Sequence, residues 1–306
     1  MKKQRSGPSG YFPDDCWELI FRKMRENNER ELDSISLVSK QFLSISNRVK
    51  LSLNGNHRTL PLLPNLLRRF RHIKTIVIDI KSQKDIDGLV DQISRSGVLN
   101  LQVIEFRQCM TEPPRHGFKA LALNKNIKNN LKVLNCSAWT DMQDNDLVSI
   151  ADCFPLLEEL RISAYTSKDN HEVAGRITDD DVFGSYSDHS ILNLKTLKAQ
   201  DTQIDDEGMA MIGKRCRNLQ YLDIGNCKKV TDKGVIEVVR NCERLRDILM
   251  GGCEKVGASI VLQMVSSRPS LRNIEPPCFD DLSEQMIDKV SPFGCLLIAI
   301  RLWLSS

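Results

Sequence analysis

The chain has 306 residues, 41% hydrophobic and 27% charged, an ordinary globular composition that excludes wholesale disorder and suits one extended domain plus a small one. Its 43 basic and 40 acidic residues leave a formal charge of +3 and lie scattered, without the concentrated basic stripe that phosphate binding requires, so nucleic acid is not an expected partner. No membrane span is expected either: the strongest apolar run, Phe293 to Leu304, falls short of the ~20 residues that cross a bilayer, contains Arg301, and reads as a buried terminal segment.

Residues 1–10, MKKQRSGPSG, read as a disordered basic tail, because Gly, Pro and Ser follow the charges where a signal peptide would have an apolar core. The expected setting is therefore a reducing one, cytoplasm or nucleus, in which the 10 cysteines stay thiols and the Asn135-Cys136-Ser137 sequon carries no glycan.

Residues 11–50 read as a helical module. Trp17, Ile20, Phe21 and Met24 share one helical face, and Leu32, Ile35, Val38, Phe42 and Ile45 form a second stripe. Asp14 or Asp15 is expected to cap the first helix after Pro13, with Asn27-Asn28 separating the pair. A module of about 40 residues seldom buries enough apolar surface to fold alone, so part of its apolar face is expected to need a neighbour or a partner. Residues 51–69 read as a linker and approach to the next region.

From residue 70 to 279 the sequence is periodic. Cys216, Leu219, Leu222, Ile224, Cys227, Val230 and Val235 recur 26 residues later as Cys242, Leu245, Ile248, Met250, Cys253, Val256 and Val261. Leu157 and Leu160 step back by the same 26 to Leu131 and Leu134, and looser copies start at Ile73, Leu101, Leu194 and Leu271. About eight units result, within the length range of leucine-rich repeats. Each opens with an L-x-x-L-x-[LI] run such as Leu219-Gln-Tyr-Leu222-Asp-Ile224, which alternates as a short strand does. Thr231 to Cys242 then places Val235, Val238, Val239 and Cys242 at helical spacing. Stacked strand-turn-helix units share one core and align their strands into a curved parallel sheet. The outward strand positions, including Glu105, Arg107, Arg161, Lys198, Tyr221, Asp223, Asp247 and Leu249, make that sheet the expected binding face, with Tyr221 beside Leu249 as its apolar anchor pair. Of these, Arg161, Lys198, Tyr221, Asp223 and Leu249 are expected to form one contiguous target-binding patch. Residues 280–306 fit no unit and read as a tail or cap.

Several features that suggest chemistry have structural explanations. Asp144, Asp179, Asp206 and Asp232 share roughly one register of the repeat, where each is expected to cap its own helix. Gly208, Gly213 and Lys214 spell G-x-x-x-x-G-K, but Arg215 follows where a phosphate loop needs Ser or Thr, and Met209, Ile212 and Cys216 fall in the helical register of the repeat. Cys216, Cys227, Cys242 and Cys253 lack C-x-x-C spacing and mark buried structural positions rather than a zinc site. No nucleophile, base and orienting group occur together, so no catalysis, metal or cofactor is expected. The insertion Thr166 to Arg176 is expected to loop out at one edge of the solenoid, as a tolerated loop or as part of a partner site.

Two stretches resemble known families. FPDDCWELIFRKM followed by LDSISLVSKQF resembles the F-box, a Leu-Pro start, an amphipathic helix and then L-x-x-x-x-L-V-[CS]-[KR]-x-[WF], with Phe12 and Phe42 in place of the usual leucine and tryptophan. Residues 216 to 256 resemble the cysteine-containing leucine-rich repeats of F-box/leucine-rich-repeat proteins, and LPLLPNLLRRF, Leu60 to Phe70, resembles the plant-type members. The resemblance implies an α/β leucine-rich-repeat solenoid, a curved parallel sheet with outer helices, preceded by a small all-helical F-box-like module. It also implies a substrate-recognition subunit of a Skp-cullin-F-box (SCF) ubiquitin ligase: the module docks on a Skp-type adaptor, and through it on cullin, while the repeats hold a target for proteasomal degradation. Pro13, Ile20, Leu37 and Val38 are the expected adaptor contacts. A stand-alone repeat scaffold or inhibitor, and a small-molecule co-receptor, are the alternatives.

Overall fold

The computed structural model describes residues 12–79, 85–96, 100–107, 112–139, 144–164, 193–278 and 296–297. The insertion Thr166 to Arg176, Asp179 and most of the Phe293 to Leu304 run lie outside them.

Three helices build the N-terminal module, α1 (Asp14–Asn27), α2 (Arg30–Ile35) and α3 (Lys40–Val49). Phe21, Leu32, Ile45 and Val49 are its buried centre, and Trp17, Met24, Ile35 and Phe42 pack around them. The Trp17 and Phe42 ring centroids lie 4.7 Å apart, and the Phe21 and Phe42 rings meet edge to face at 5.1 Å, geometries that add to simple burial. Neither Asp14 nor Asp15 is the cap expected of them. Pro13 occupies that position, and both carboxylates sit in the first turn, where they face the positive end of the helix dipole. Asp14 instead accepts a hydrogen bond from Gln41 Nε2 at 2.6 Å, which ties the start of α1 to the start of α3. The second apolar stripe is also divided. Ser39 caps α3 by accepting from the Phe42 N–H at 3.1 Å, which leaves Val38 in the preceding turn, 69% exposed.

The remainder is the expected leucine-rich-repeat solenoid, a single ten-stranded sheet with every strand parallel and in sequential order. Its strands are β1 (Ser52–Asn56), β2 (Thr75–Asp79), β3 (Val103–Arg107), β4 (Val133–Trp139), β5 (Glu159–Ala164), β6 (Thr196–Lys198), β7 (Tyr221–Asp223), β8 (Asp247–Leu249), β9 (Asn273–Glu275) and β10 (Leu296–Leu297). The outer layer holds α4 (Leu63–Arg69), α5 (Ile86–Arg95), α6 (Arg115–Leu123), α7 (Lys125–Lys128), α8 (Asp144–Cys153), α9 (Asp206–Arg215), α10 (Asp232–Asn241) and α11 (Ile260–Ser267). The sheet begins inside the 51–69 segment read as a linker, because Leu53 pairs with Ile76 and joins the core. It continues into the 280–306 segment, where Leu296–Leu297 adds an edge strand to β9.

Burial follows the period. Leu219, Leu222, Ile224, Leu245, Ile248 and Met250 are fully inaccessible, as are Val235, Val238 and Val239 of α10. Midway along, Trp139, Phe106, Phe118 and Phe154 form a buried aromatic cluster, with Phe106 and Trp139 at 5.1 Å and Phe118 and Trp139 at 5.6 Å. The eight described cysteines are free thiols. Cys227 donates to the Ala199 carbonyl at 3.2 Å and Cys253 to the Ile224 carbonyl at 3.1 Å, so each thiol ties its repeat to the one before. The two units of the molecule are joined by Glu29, whose carboxylate accepts from the Ser52 N–H at 2.9 Å, from the Leu51 N–H at 3.3 Å and from the Ser52 hydroxyl.

Candidate interaction surfaces

The helical module closes its own core and still leaves apolar side chains uncovered. Leu37 is 86% exposed, Val38 69%, Leu19 65%, Phe12 46% and Ile20 39%, and these are five of the eight large apolar side chains exposed among the described residues. Pro13 is exposed as well. Local geometry accounts for this: Trp17, Phe21 and Met24 define the buried face of α1, and Ile20 falls at its margin instead of within it, as the sequence pattern had placed it. Leu37 and Val38 lie in the tight turn between α2 and α3, where the N–H of Val38 bonds to the Ile35 carbonyl at 3.0 Å and both side chains point to solvent. The Gln41–Asp14 bond brings this turn toward Pro13 at the start of α1.

The second surface is the sheet face. Arg161, Lys198, Asp223 and Leu249 pair in succession across β5 to β8 and so occupy one transverse row at about 5 Å spacing. Tyr221 belongs to the adjacent row, between Thr196 and Asp247. Its strand partner is thus Asp247, and the expected side-by-side pairing with Leu249 is replaced by a diagonal one, since Leu249 stands opposite Asp223. The Lys198 ammonium lies 5.2 Å from the centre of the Tyr221 ring, a cation–π contact. Arg161 is held by Glu159 at 2.6 Å, yet its side chain remains 42% exposed.

Asp223 is not an outward contact. It is only 4% exposed, because Gln200 Nε2 donates to one carboxylate oxygen at 2.8 Å and the Gly225 N–H to the other at 3.1 Å. A short carboxylate on a tightly curved row is covered by its longer neighbours, and strand alternation alone does not reveal that. Two more residues complete the patch: Asp247, already expected to face outward, which takes a hydrogen bond from Asn273 Nδ2, and Glu275 on β9, which was missed in the sequence. Burial, with the nearby Asp223, raises the Glu275 pKa. Burial first, then Asp223, Asp247 and Glu275, pushes the Tyr221 phenol up to about 12, so it presents a neutral hydroxyl. The patch therefore grades from basic at Arg161 and Lys198 to acidic at β7–β9, with an aromatic ring at the boundary.

The other candidate sites resolve as structural. The G-x-x-x-x-G-K segment is the continuous helix α9. Burial pushes the Cys216, Cys242 and Cys253 thiols up to about 12, so they are protonated and inert as nucleophiles. Among the described residues no group of three or more His, Cys, Asp or Glu could hold a metal, and no helix is long and apolar enough to cross a membrane.

One repeat unit is matched by a known family. The family described as Leucine Rich repeat matches residues 215–239, one unit of the period. No curated protein sequence matches the chain. Among solved structures, it is similar to the yeast Rad7 and Elc1 complex at 13% identity and TM-score 0.48, over 93% of this chain and 92% of that one. It is also similar to the Drosophila Toll–Spatzle complex at 13% identity and TM-score 0.45, over 74% of this chain but only 27% of that one.

Proposed function

We propose that the chain is a non-catalytic recognition subunit of an SCF-type ubiquitin ligase. In this reading the helical module docks on a Skp-type adaptor, and through it on cullin, while the sheet face holds a target protein for degradation, in the cytoplasm or nucleus. The observation that carries it is the exposed apolar group Phe12, Leu19, Ile20, Leu37 and Val38, concentrated on a module whose core is already complete. Burying such side chains contributes roughly 1.5–3 kcal/mol each, enough for a few of them to drive a stable protein contact. A rival reading, in which the module only caps a scaffold, finds support in the Glu29 contacts that seal the first strand. It leaves the exposure of the apolar group unexplained.

The test is capture of a purified Skp-type adaptor by the full chain, compared with an Ile20→Asp, Val38→Asp double variant. Both positions are solvent-exposed, so the variant should melt as the parent does and lose capture. Undiminished capture by the folded variant would favour the capped scaffold. The chain itself transfers nothing in this proposal, and ubiquitin transfer by the purified chain with a charged conjugating enzyme alone would contradict it.

A further inference from the structure

Basic residues that are dispersed in the sequence become a row in the fold. The residue preceding each strand from β2 to β9 belongs to one unbroken backbone ladder: Gln102 N–H to Lys74, Lys132 to Gln102, Glu158 to Lys132, Lys195 to Glu158, Gln220 to Lys195, Arg246 to Gln220 and Arg272 to Arg246, each at 2.7–2.8 Å. These eight stacked positions along the leading rim of the sheet read Lys, Gln, Lys, Glu, Lys, Gln, Arg, Arg. The five basic side chains are exposed. The one acid, Glu158, is neutralised between Lys132 at 2.8 Å and Lys195 at 2.7 Å. Arg217, exposed in the turn just before β7, adds charge toward the C-terminal end of the row, whereas Arg244 in the turn before β8 sits beside exposed Glu243, so that turn adds no net charge.

The N-terminal end of the rim opens into a cleft of about 910 Å³ between the helical module and β2, lined by Arg22, Arg25, Arg48, Arg71, His72 and Lys74. The acid in its lining, Glu18, is taken by Arg22 at 2.7 Å and Arg48 at 3.2 Å. Arg71, Lys74, Arg246 and Arg272 form no ion pair with any described residue, so their charges are available to a ligand.

We propose that the rim and the cleft at its end are a docking track for an extended acidic segment of a partner protein. Strand spacing of about 4.8 Å makes the row roughly 34 Å long, the span of about ten extended residues at ~3.3 Å each. Arg246 and Arg272 stack at that spacing and repel one another, and the Lys132–Glu158–Lys195 group keeps a net positive charge, so an acidic chain running across the strands meets positive charge at both ends and in the middle. Single-stranded nucleic acid fits less well: none of the eight rim positions carries an aromatic side chain on which a base could stack. The rim and cleft share no residue with the apolar group Phe12, Leu19, Ile20, Leu37 and Val38, although Arg22 of the cleft and Leu19 both belong to α1.

The experiment is fluorescence anisotropy of the full chain with a labelled Glu/Ser peptide of about a dozen residues and, in parallel, with a single-stranded oligonucleotide of equal charge. Peptide binding should weaken about tenfold or more between about 0.05 and about 0.3 M salt. Arg71→Glu with Lys74→Glu, and separately Arg246→Glu with Arg272→Glu, should each weaken it about tenfold at low salt, because both ends of the track contribute. The corresponding Gln variants, which only remove charge, should lie between those and the parent, and all should keep the parent's melting temperature. Absence of peptide binding, binding unaffected by both reversals, or tighter binding of the oligonucleotide would each overturn the proposal. Retention of peptide binding by the Ile20→Asp, Val38→Asp variant would separate this surface from the adaptor site, and its loss there would overturn that separation.

Discussion

The carboxylate of Asp206 accepts hydrogen bonds from the backbone N–H of Thr231 at 2.8 Å and of Gly234 at 3.1 Å, and from the Thr231 hydroxyl at 2.6 Å. Asp206 opens α9, whereas Thr231 and Gly234 belong to the first turn of α10, so one repeat satisfies the open N–H groups of the next. The helix containing Asp206 is capped by its neighbour Asp205, which accepts from the Glu207 and Gly208 N–H groups. The same relay recurs where Asp87 accepts from Gly117 at 2.7 Å and Asp232 from Gly257 at 2.8 Å. At Asp206 and Asp232 the repeated aspartate is thus a staple between units, and the expectation that it caps its own helix is corrected there, whereas Asp179 and the Asp144 side chain lie outside what the structure describes.

Gly234→Ala should destabilise the protein even though alanine is the better helix former by about 1 kcal/mol. A Cβ at this position would lie 2.5 Å from Asp206 Oδ1, 3.0 Å from Asp206 Cα and 3.1 Å from Met209 Cβ, so the whole interface would have to open. Asp206→Ala should cost about 1–3 kcal/mol, since it orphans two N–H groups at the start of α10. Urea unfolding of both variants checks this, and a Gly234→Ala midpoint at or above the parent's would refute the close packing.

Thiol chemistry offers a second check. Burial raises the Cys216, Cys242 and Cys253 pKa values from 9.0 to about 12. A group whose pKa is raised on folding contributes stability that is complete below its unfolded value and is lost as pH climbs toward its folded value. Melting temperature should accordingly fall with a steepening slope between about pH 9 and 12, aided by Tyr221, which rises from 10.0 to about 12. In native protein at neutral pH, a maleimide should label exposed Cys278 and spare the three buried thiols until denaturant is added. Rapid labelling of all of them in the native state would contradict the burial.

The solenoid was legible because its signal is repeated: a 26-residue recurrence of apolar and cysteine positions forces each strand and helix stripe into the same place in successive units. What stayed hidden depends on relations between units or at their margins. Asp206 looks like a local cap until the next repeat is stacked on it. Asp223 alternates outward as an exposed residue would, and it is covered by Gln200 reaching from the turn after β6 together with the Gly225 N–H. The edge strand β1, SLNGN, carries little apolar pattern of its own and forms by adding to an existing sheet, while β10 lies in an apolar run that fits no repeat unit. The basic rim escaped notice for the same reason, since its members are spaced tens of residues apart in sequence and become adjacent only in the ladder.

On the sheet face, Tyr221 and Asp223 should separate binding from stability. Asp223→Ala should cost about 1–3 kcal/mol, because the Gly225 N–H and the Gln200 amide lose their acceptor in a covered site. Tyr221→Ala should cost less stability and more target capture, as partly exposed aromatic anchors do at interfaces. A photo-crosslinking residue placed at Tyr221 should trap a bound target, whereas the same residue at exposed Lys233, on α10 of the helical layer, should not. Trapping at Lys233 alone would move the binding surface to the outer face.

Glu29 governs whether the helical module and the repeats act as one body. Its carboxylate serves the N–H groups of Leu51 and Ser52 and the Ser52 hydroxyl, at the point where the chain leaves α3 and enters β1. Arg25 supports the same junction by donating to the Val49 carbonyl at 2.7 Å, and Arg69 of α4 reaches back to Asn47 Oδ1 at 3.0 Å. Glu29→Ala removes the acceptor of two partly buried backbone donors, for a cost of about 1–3 kcal/mol that falls on the junction. The core of the module and the 26-residue repeats do not share that carboxylate, so the loss should stay local. Hydrogen exchange should therefore quicken in β1, at residues 52–56, while protection in β7 and β8 is unchanged. Glu29→Gln keeps one acceptor oxygen and should recover part of the protection. If exchange in β1 is the same in all three proteins, the junction is held by packing of Leu53 and its neighbours instead of by this carboxylate.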